Sequence, residues 1–219
     1  AEAIKLHNET RRLQQEIYEM QKGEEVYLTG LELLMVMLAG VSLPRPEYNK
    51  MMKDLIAALK ANGPRIKPKV RLLYTGGHAD NPEFFDLLQQ NDAHVVSDNT
   101  GFGTRAADVL IREDGDPLEA IIDYYFEEKP AATRQMGTQV ERMERLLDLV
   151  KQYKADGVVA SRLYMCDLWA FEHFLMRKRL HENNVPFLEL EVDYTPEGQG
   201  QIKTRVQAFV ESLADRQTA

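Results

Sequence analysis

Cys166 is the only thiol in the 219-residue chain, and it lies within the stretch RLYMCDLWAFE. The residues before it predict a buried strand that ends at the cysteine, and those after it predict a helix with Asp167 as its N-cap. Backbone N–H groups at a helix N-terminus stabilise a thiolate, which is the form that attacks an electrophile or binds a metal. The position suits a nucleophile or a metal ligand, although a lone cysteine is more often a small apolar core residue.

A nucleophilic cysteine also needs a base within reach. His173 lies about two turns along the following helix, too far from Cys166 to serve. His78, in an earlier loop, is the remaining candidate, so a Cys/His hydrolase is a minor alternative. A second alternative makes Cys166 one ligand of an iron–sulfur cluster whose other thiolates come from outside this sequence.

Two glycine-containing stretches precede predicted helices. The first, GFGTRA (101–106), matches a loose dinucleotide fingerprint, but it follows the second strand and is most simply a tight turn. The second, GQGQIKTR (198–205), leads into a helix whose first turn would carry Lys203, Thr204 and Arg205. These side chains suit an anion, although a solvated helix start explains them equally well. Arg105, at the end of the first stretch, is a further cation for the same region.

Aromatic and acidic side chains also gather near the predicted strand ends. Tyr164, Phe171 and Phe174 surround Cys166 in sequence, and Trp169, in the first helical turn, is the one expected beside a pocket. Aromatic residues at helical spacing are otherwise core. Four aspartates follow the strands, and most are expected to cap helices: Asp80, Asp98, Asp167 and Asp193.

Composition narrows the classes of function. The formal net charge of −8 argues against nucleic-acid binding, which needs a basic face. No apolar run approaches the length of a membrane span. A single cysteine excludes an internal disulfide framework and suits a reducing compartment. We therefore predict a cytoplasmic globular protein without nucleic-acid or membrane partners. The sequence does not begin with methionine, and we interpret it as a piece of a longer protein.

The pattern of elements predicts the fold class. Helices over 2–22, 30–43 and 46–62 come first, followed by apolar runs that read as strands over 70–77, 93–99, 157–165 and 186–194. Helices alternate with these strands, notably over 116–130, 134–156 and 199–215. Alternation predicts an α/β fold, a parallel four-stranded sheet flanked by helices in a flavodoxin-like three-layer arrangement. We assign residues 1–66 to a helical linker or appendage and 67–219 to the α/β domain, with the functional loops at the carboxyl ends of the strands.

Several segments together resemble a known family of subunits. They are NETRRLQQEIYEMQKG, GGHADNPEFFDLL, VVSDNTGFGTR, DGVVASRLYMCDLWAFE and DYTPEGQGQIKTRVQAFVESL, which span nearly the whole chain. In this order they resemble the active-site subunits of the benzoyl-CoA reductase and 2-hydroxyacyl-CoA dehydratase family. The last two segments are the most specific.

The resemblance implies a cofactor and partners. It implies a [4Fe–4S] cluster held between this α/β domain and an additional N-terminal one, with Cys166 as one metal ligand. It implies an acyl-CoA substrate, a homologous second subunit in a heterodimer, and an ATP-hydrolysing iron–sulfur activator that supplies electrons. Arg105, Trp169, Lys203 and Arg205 are then candidates for contacts with the cluster or the coenzyme; no residue is assigned a catalytic role. Many relatives carry a cysteine where this chain has Gly101, so a ligand role for that loop is in doubt.

The resemblance leaves the reaction open. Ring reduction of an aromatic acyl-CoA of the benzoyl-CoA type is placed slightly ahead, because TRVQAF (204–209) and the aromatic residues around Cys166 look closer to the reductases. Dehydration of an (R)-2-hydroxyacyl-CoA to an enoyl-CoA is the alternative. A non-catalytic scaffold subunit is a third possibility, with which the single cysteine and Gly101 are compatible.

Overall fold

The computed structural model describes residues 1–77, 81–89, 93–193 and 199–218. Helices cover α1 (Glu2–Glu19), α2 (Gly30–Ser42), α3 (Arg45–Asn62), α4 (Pro82–Leu88), α5 (Thr104–Ala107), α6 (Pro117–Asp123), α7 (Gln139–Gln152), α8 (Asp167–Glu182) and α9 (Gln199–Thr218). The strands are β1 (Val70–Gly76), β2 (Ala93–Asn99), β3 (Gly157–Leu163) and β4 (Phe187–Val192). A π-helical turn, Tyr124–Glu128, extends α6.

The four strands form one parallel sheet in the order β2-β1-β3-β4. The chain leaves β1 toward β2 on one side and then crosses back to place β3 on the other side of β1. This reversal is the switch point of a doubly wound sheet, where ligands bind beyond the carboxyl ends of the strands. The predicted parallel four-stranded sheet, flanked by helices and preceded by N-terminal helices, is confirmed.

Helices cover both faces of the sheet. Because successive strand residues point to opposite faces, Leu73 packs with side chains of α1, α3, α7 and α8, whereas Leu72 and Tyr74 pack with α4 and α9. All three β1 side chains are fully buried. Burial on both faces explains why the central strands β1 and β3 read as mostly continuous apolar runs, whereas the edge strand β4 alternates.

The N-terminal helices pack directly on the α/β part. The Tyr18 hydroxyl of α1 donates a hydrogen bond to the Asp98 carboxylate at the end of β2. Burial, together with the charge of Asp98, raises the pKa of Tyr18 well above its usual range, so the phenol stays protonated and donates. The Asn8 amide pairs with the backbone of Ile111 in both directions, at 2.6 and 3.0 Å. The boundary between residues 66 and 67 stays a prediction.

A buried arginine of β1 is hydrogen-bonded to the segment that follows α1. Arg71 of β1 donates to the carbonyl oxygens of Gln21, Gly23 and Tyr153 at 2.9 to 3.0 Å. Its guanidinium therefore satisfies three backbone groups from two distant segments of the sequence. No local pattern marks such a residue, because the three acceptors meet only in the folded chain.

One helix start differs from the sequence prediction. The helix expected from residue 134 begins at Gln139, because residues 134–138 form a turn in which Gly137 has a φ of +83°. The last helix begins at Gln199, as predicted, but Lys203, Thr204 and Arg205 lie in its second turn rather than in its first. Asn81 caps α4, accepting from the N–H groups of Glu83 and Phe84.

None of the helices in the described ranges is long and apolar enough to span a bilayer.

Candidate functional site

A cavity of about 440 Å³ opens at the carboxyl edge of the sheet, at the switch point between β1 and β3. Four parts of the chain line it, namely the residues after β1, the loop after β2, the turn after β3 with the start of α8, and a segment that precedes α7. In sequence order they contribute Gly76 and Gly77; Thr100, Gly101, Phe102 and Arg105; Ala132, Thr133 and Arg134; and Leu163, Cys166, Leu168 and Trp169. The cavity therefore brings together Cys166, Arg105 and Trp169.

A tight turn places Cys166 at this edge. β3 ends at Leu163, so the cysteine does not end the strand as predicted, and Met165 has a φ of +62°. A bulky side chain in this left-handed region is strained, and such strain concentrates at functional sites. The N–H of Cys166 donates to the Leu163 carbonyl at 3.1 Å, and that of Tyr164 donates to Val192 of β4 at 2.9 Å. Two hydrogen bonds thus hold the turn.

Cys166 is itself the N-cap of α8, and its carbonyl accepts from Ala170 at 3.0 Å. The prediction of Asp167 as the cap is therefore wrong; that residue is the first helical position, and its carboxylate favours the helix dipole there. The thiol is half-buried. It lies at the N-terminus of a 16-residue helix, the positive end of the helix dipole.

Trp169 covers the end of β1 from the first turn of α8. A Cβ added to Gly77 would lie 2.2 Å from the indole Nε1, so the ring packs on bare backbone that only glycine can supply. The indole is nine-tenths buried. It forms one apolar wall of the cavity with Leu163 and Leu168.

The loop after β2 is fixed by a buried carboxylate. Asp98 accepts from the backbone N–H and the hydroxyl of Thr100, at 2.8 and 2.7 Å, in addition to Tyr18. The Thr100 hydroxyl in turn accepts from the N–H of Gly103 at 3.0 Å. α5 has only four residues. The GFG stretch is thus a structural turn, as its simplest interpretation predicted.

Two arginines face the cavity without a partner. Arg105 and Arg134 line it, and neither guanidinium makes a hydrogen bond or ion pair with any described residue. Burial, and next the charge of Arg145, lower the pKa of Arg105, but an arginine remains charged at physiological pH. Arg145 itself is paired, with Asp108 at 2.5 Å and the Thr104 hydroxyl at 3.0 Å.

A buried ion pair holds the segment that supplies Arg134. Arg142 of α7 binds Glu172 of α8 through two parallel hydrogen bonds of 2.7 and 2.8 Å, and both side chains are more than nine-tenths buried. The remaining Nη1 donates to the Thr138 hydroxyl at 2.6 Å and to the Gln135 carbonyl at 3.1 Å. The wall segment is thereby anchored to the helix that begins at Cys166.

The other predicted binding residues lie elsewhere. Lys203 is exposed on α9, and Arg205 donates to the Glu189 carbonyl of β4 at 2.7 Å. Neither lines the cavity that contains Cys166. Gly198, the first residue of that predicted anion site, lies outside the described residues, as do His78 and Asp80.

His173 is not available to Cys166. It is fully buried in α8, and its Nδ1 lies 3.4 Å from a carboxylate oxygen of Glu189, an ion-pair distance with poor hydrogen-bond geometry. Burial lowers the pKa of His173, with Glu189 opposing the shift. The exclusion of this histidine as a base is consistent with its packing among Trp169 and Phe187.

The turn after β2 provides a first test of the structure. An alanine Cβ at position 103 would lie 2.0 Å from the Asp98 carboxylate, which is buried and cannot move without losing its partners. We expect Gly103→Ala to reduce the free energy of unfolding by about 1–3 kcal/mol, as overpacking does. At position 101 the added Cβ meets only the flexible end of Arg105, at 3.2 Å.

The matched control is Gly101→Ala, expected to change stability by less than about 0.5 kcal/mol. Urea denaturation of both variants measures the difference. Equal midpoints for the two variants would contradict the close approach of Gly103 to Asp98.

Sequence reasoning missed the segment 132–134 and the Arg142–Glu172 pair. The first lies in KPAATRQMGT, whose proline, glycine and threonines signal a loop, yet part of it falls within the helix predicted over 134–156. The pair is 30 positions apart, and no spacing rule connects such residues.

These features define a doubly wound α/β fold whose one thiol lies at the switch point, beside two arginines that have no hydrogen-bond or ion-pair partner among the described residues. The chain belongs to the family of the 2-hydroxyglutaryl-CoA dehydratase D-component, whose model matches residues 1–213. The resemblance found in the sequence is thus confirmed.

Curated relatives match the chain along almost its whole length. It is 27% identical to the protein named "Putative dehydratase subunit YjiM" of Escherichia coli (strain K12), over 97% of this chain and 56% of that protein. It is 23% identical to the (R)-phenyllactyl-CoA dehydratase beta subunit of Clostridium sporogenes, over 96% of this chain and 56% of that subunit. It is also 23% identical to a subunit of the benzoyl-CoA reductase of Thauera aromatica, over 96% of this chain and 55% of that subunit. The chain spans about half the length of the curated relatives that it matches.

Proposed function

We propose that this chain is part of an iron–sulfur subunit of an acyl-CoA enzyme, with Cys166 as one ligand of a [4Fe–4S] cluster. The observation that carries the proposal is the position of the thiol. It stands at a helix N-terminus, at the switch point of the sheet, and it lines a cavity walled by Gly76, Gly77 and Gly101.

The donor set fits one corner of such a cluster. A [4Fe–4S] cluster is held by cysteine thiolates, and the sequence contains one. Among the described residues no group of three His, Cys, Asp or Glu side chains could hold a metal ion. The remaining ligands therefore come from outside this sequence.

The chain's own residues have distinct tasks in this proposal. A low-potential cluster, when bound, supplies the electron that a thioester-conjugated substrate accepts only from a strong reductant. Cys166 holds it, and the strained turn at Met165 fixes the direction of the thiolate. Trp169 and Leu168 exclude water from that side. Arg105 offers a positive charge to an anionic group.

For the reaction, the proposal places dehydration of an (R)-2-hydroxyacyl-CoA to an enoyl-CoA ahead of ring reduction of an aromatic acyl-CoA. Of the sequence features that favoured ring reduction, Trp169 lines the cavity, but the other aromatic residues near Cys166 and the TRVQAF segment do not. Tyr164, Phe171 and Phe174 are 61–76% exposed, and the residues 204–209 lie on α9. The polar and charged lining supplied by Thr100 and the two arginines suits an acyl group that carries oxygen substituents.

The proposal includes two partners, namely a homologous second subunit and an ATP-hydrolysing iron–sulfur activator. Its support is that the relatives are named as subunits, of a dehydratase in one case and of a reductase in another.

The test is turnover by the full-length subunit with its homologous partner, activator and ATP. It is offered an (R)-2-hydroxyacyl-CoA and benzoyl-CoA in separate anaerobic assays. Enoyl-CoA formation supports dehydration, and a ring-reduced product would instead establish the benzoyl-CoA type. Turnover of neither substrate class, with a loaded cluster and active activator, contradicts the proposed function.

Gly101 supports a second candidate, a scaffold subunit that pairs with a cluster-bearing partner. The loop after β2 has no thiol at this position, and Arg105 occupies the space beside it. Iron and sulfide analysis of the full-length subunit, purified anaerobically without its partner, separates the two. A subunit free of iron and sulfide favours the scaffold.

A further inference from the structure

Two cations line the cavity, the half-buried Arg105 and the exposed Arg134. Arg105 and Arg134 reach it from different loops, and within the described ranges neither has a hydrogen-bond or ion-pair partner. Their neighbours behave differently, because Arg142 and Arg145 on α7 are both paired with carboxylates. The chain carries 35 acidic and 27 basic residues, so carboxylates for pairing are abundant. Two unpaired guanidiniums at one cavity therefore indicate a site for an anion.

The placement of Arg134 depends on a buried support. It lies in a segment without regular secondary structure, and the Arg142 guanidinium holds the backbone that follows it, through Gln135 and Thr138. Glu172 balances the charge of Arg142 in a buried ion pair. Arg142 is in this view a positioning residue, and Arg134 is the group that it places.

We propose that Arg105 and Arg134 form an oxyanion-binding site in the Cys166 cavity, positioned by the Arg142–Glu172 pair. Guanidinium groups bind carboxylate and phosphate oxygens through short charge-assisted hydrogen bonds. The ligand is an oxyanion of the acyl-CoA, either a carboxylate on the acyl group or a phosphate of the coenzyme. The naming of the acyl-CoA rests on the proposed function; the oxyanion site itself does not require a cluster.

The single thiol permits a direct test on the 219-residue chain. The anion iodoacetate and the neutral iodoacetamide attack the same thiolate. The ratio of the iodoacetate rate to the iodoacetamide rate at Cys166 is therefore independent of the amount of thiolate and reports the local electrostatic potential. We expect the ratio to fall by about three- to tenfold in Arg105→Gln and in Arg134→Gln, because each removes one nearby positive charge. Rising salt should lower the wild-type ratio.

The control is Arg216→Gln, which removes the same charge from an exposed position near the end of α9. It should leave the ratio unchanged. Arg142→Lys keeps its charge but loses the forked geometry, and we expect it to lower the ratio as Arg134→Gln does. A urea transition measured for each variant confirms that the compared chains are folded. If Arg142→Lys does not fold, the two cavity variants alone decide.

The source of the oxyanion is tested by protection of Cys166 from iodoacetamide. Protection by glutarate assigns the site to a carboxylate on the acyl group, and protection by inorganic phosphate or pyrophosphate assigns it to the coenzyme. Either effect should disappear in the Arg105→Gln/Arg134→Gln double variant. An unchanged rate ratio in both single variants, or no protection by any of these anions, overturns the site. If the 219-residue chain passes these tests but the full-length subunit binds no iron, the cluster proposal is refuted and the oxyanion site stands.

Discussion

Replacing Cys166 by serine in the full-length subunit is expected to remove cluster iron and ATP-driven turnover together, while the fold remains nearly intact. A serine hydroxyl is a hard, weakly acidic donor and does not replace a thiolate on iron. The exchange changes the side-chain volume little. A half-buried hydroxyl that is poorly paired costs about 1–2 kcal/mol at most. The broad visible absorption of the cluster should therefore vanish while the far-ultraviolet circular dichroism is unchanged.

A control variant separates loss of the ligand from disturbance of the cavity. Leu168→Ser introduces the same hydroxyl into the same cavity wall but leaves the thiol in place. We expect that variant to retain its iron and sulfide. A Cys166→Ser complex with full iron and full turnover would return this cysteine to a purely structural role, with a slightly lower melting temperature as the remaining effect.

Removing the carboxylate of Glu172 should cause the largest loss of stability, about 3–5 kcal/mol, because Arg142 would remain buried and charged without its partner. In a chain of this size, each kcal/mol lowers the melting temperature by roughly 2–4 °C. Glu172→Ala should therefore melt on the order of 10 °C below the wild type. Urea denaturation, analysed for both midpoint and slope, measures the free energy directly.

The chain offers a matched control between the same two helices. Arg179 of α8 pairs with Glu144 of α7 at the surface, where the side chains are 40% and 48% exposed. Solvent screens this pair, so Arg179→Ala should cost less than about 1 kcal/mol. Equal losses in Glu172→Ala and Arg179→Ala would show that the Arg142–Glu172 pair is not buried as described.

A double replacement distinguishes stability from positioning. Arg142→Met with Glu172→Leu exchanges the pair for apolar side chains of similar volume, which is often neutral for stability. The hydrogen bonds to Gln135 and Thr138 are nevertheless lost. We therefore expect this variant to recover much of the stability but to keep the lowered iodoacetate preference at Cys166. Full recovery of both properties would remove Arg142 from its positioning role.

Local sequence signals suffice for the fold class and for the place of the cysteine at the functional edge. Apolar runs such as 70–76 and 157–163 are long enough to form strands buried on both faces, and strands that alternate with helices pair in parallel. Because these signals are local, they are readable without knowledge of the tertiary contacts. The segments that surround Cys166 likewise carried the family resemblance.

Which charged residues meet at the thiol depends instead on tertiary packing. Arg105 and Arg134 share the cavity although they are 29 positions apart, while Lys203 and Arg205, which the glycine-rich stretch had favoured, lie away from it. The one-residue shift of the α8 cap to Cys166 also depends on the turn after β3, which is hydrogen-bonded to β4. Whether an arginine has a carboxylate partner depends on how helices distant in sequence pack together, as α7 and α8 do when Arg142 pairs with Glu172.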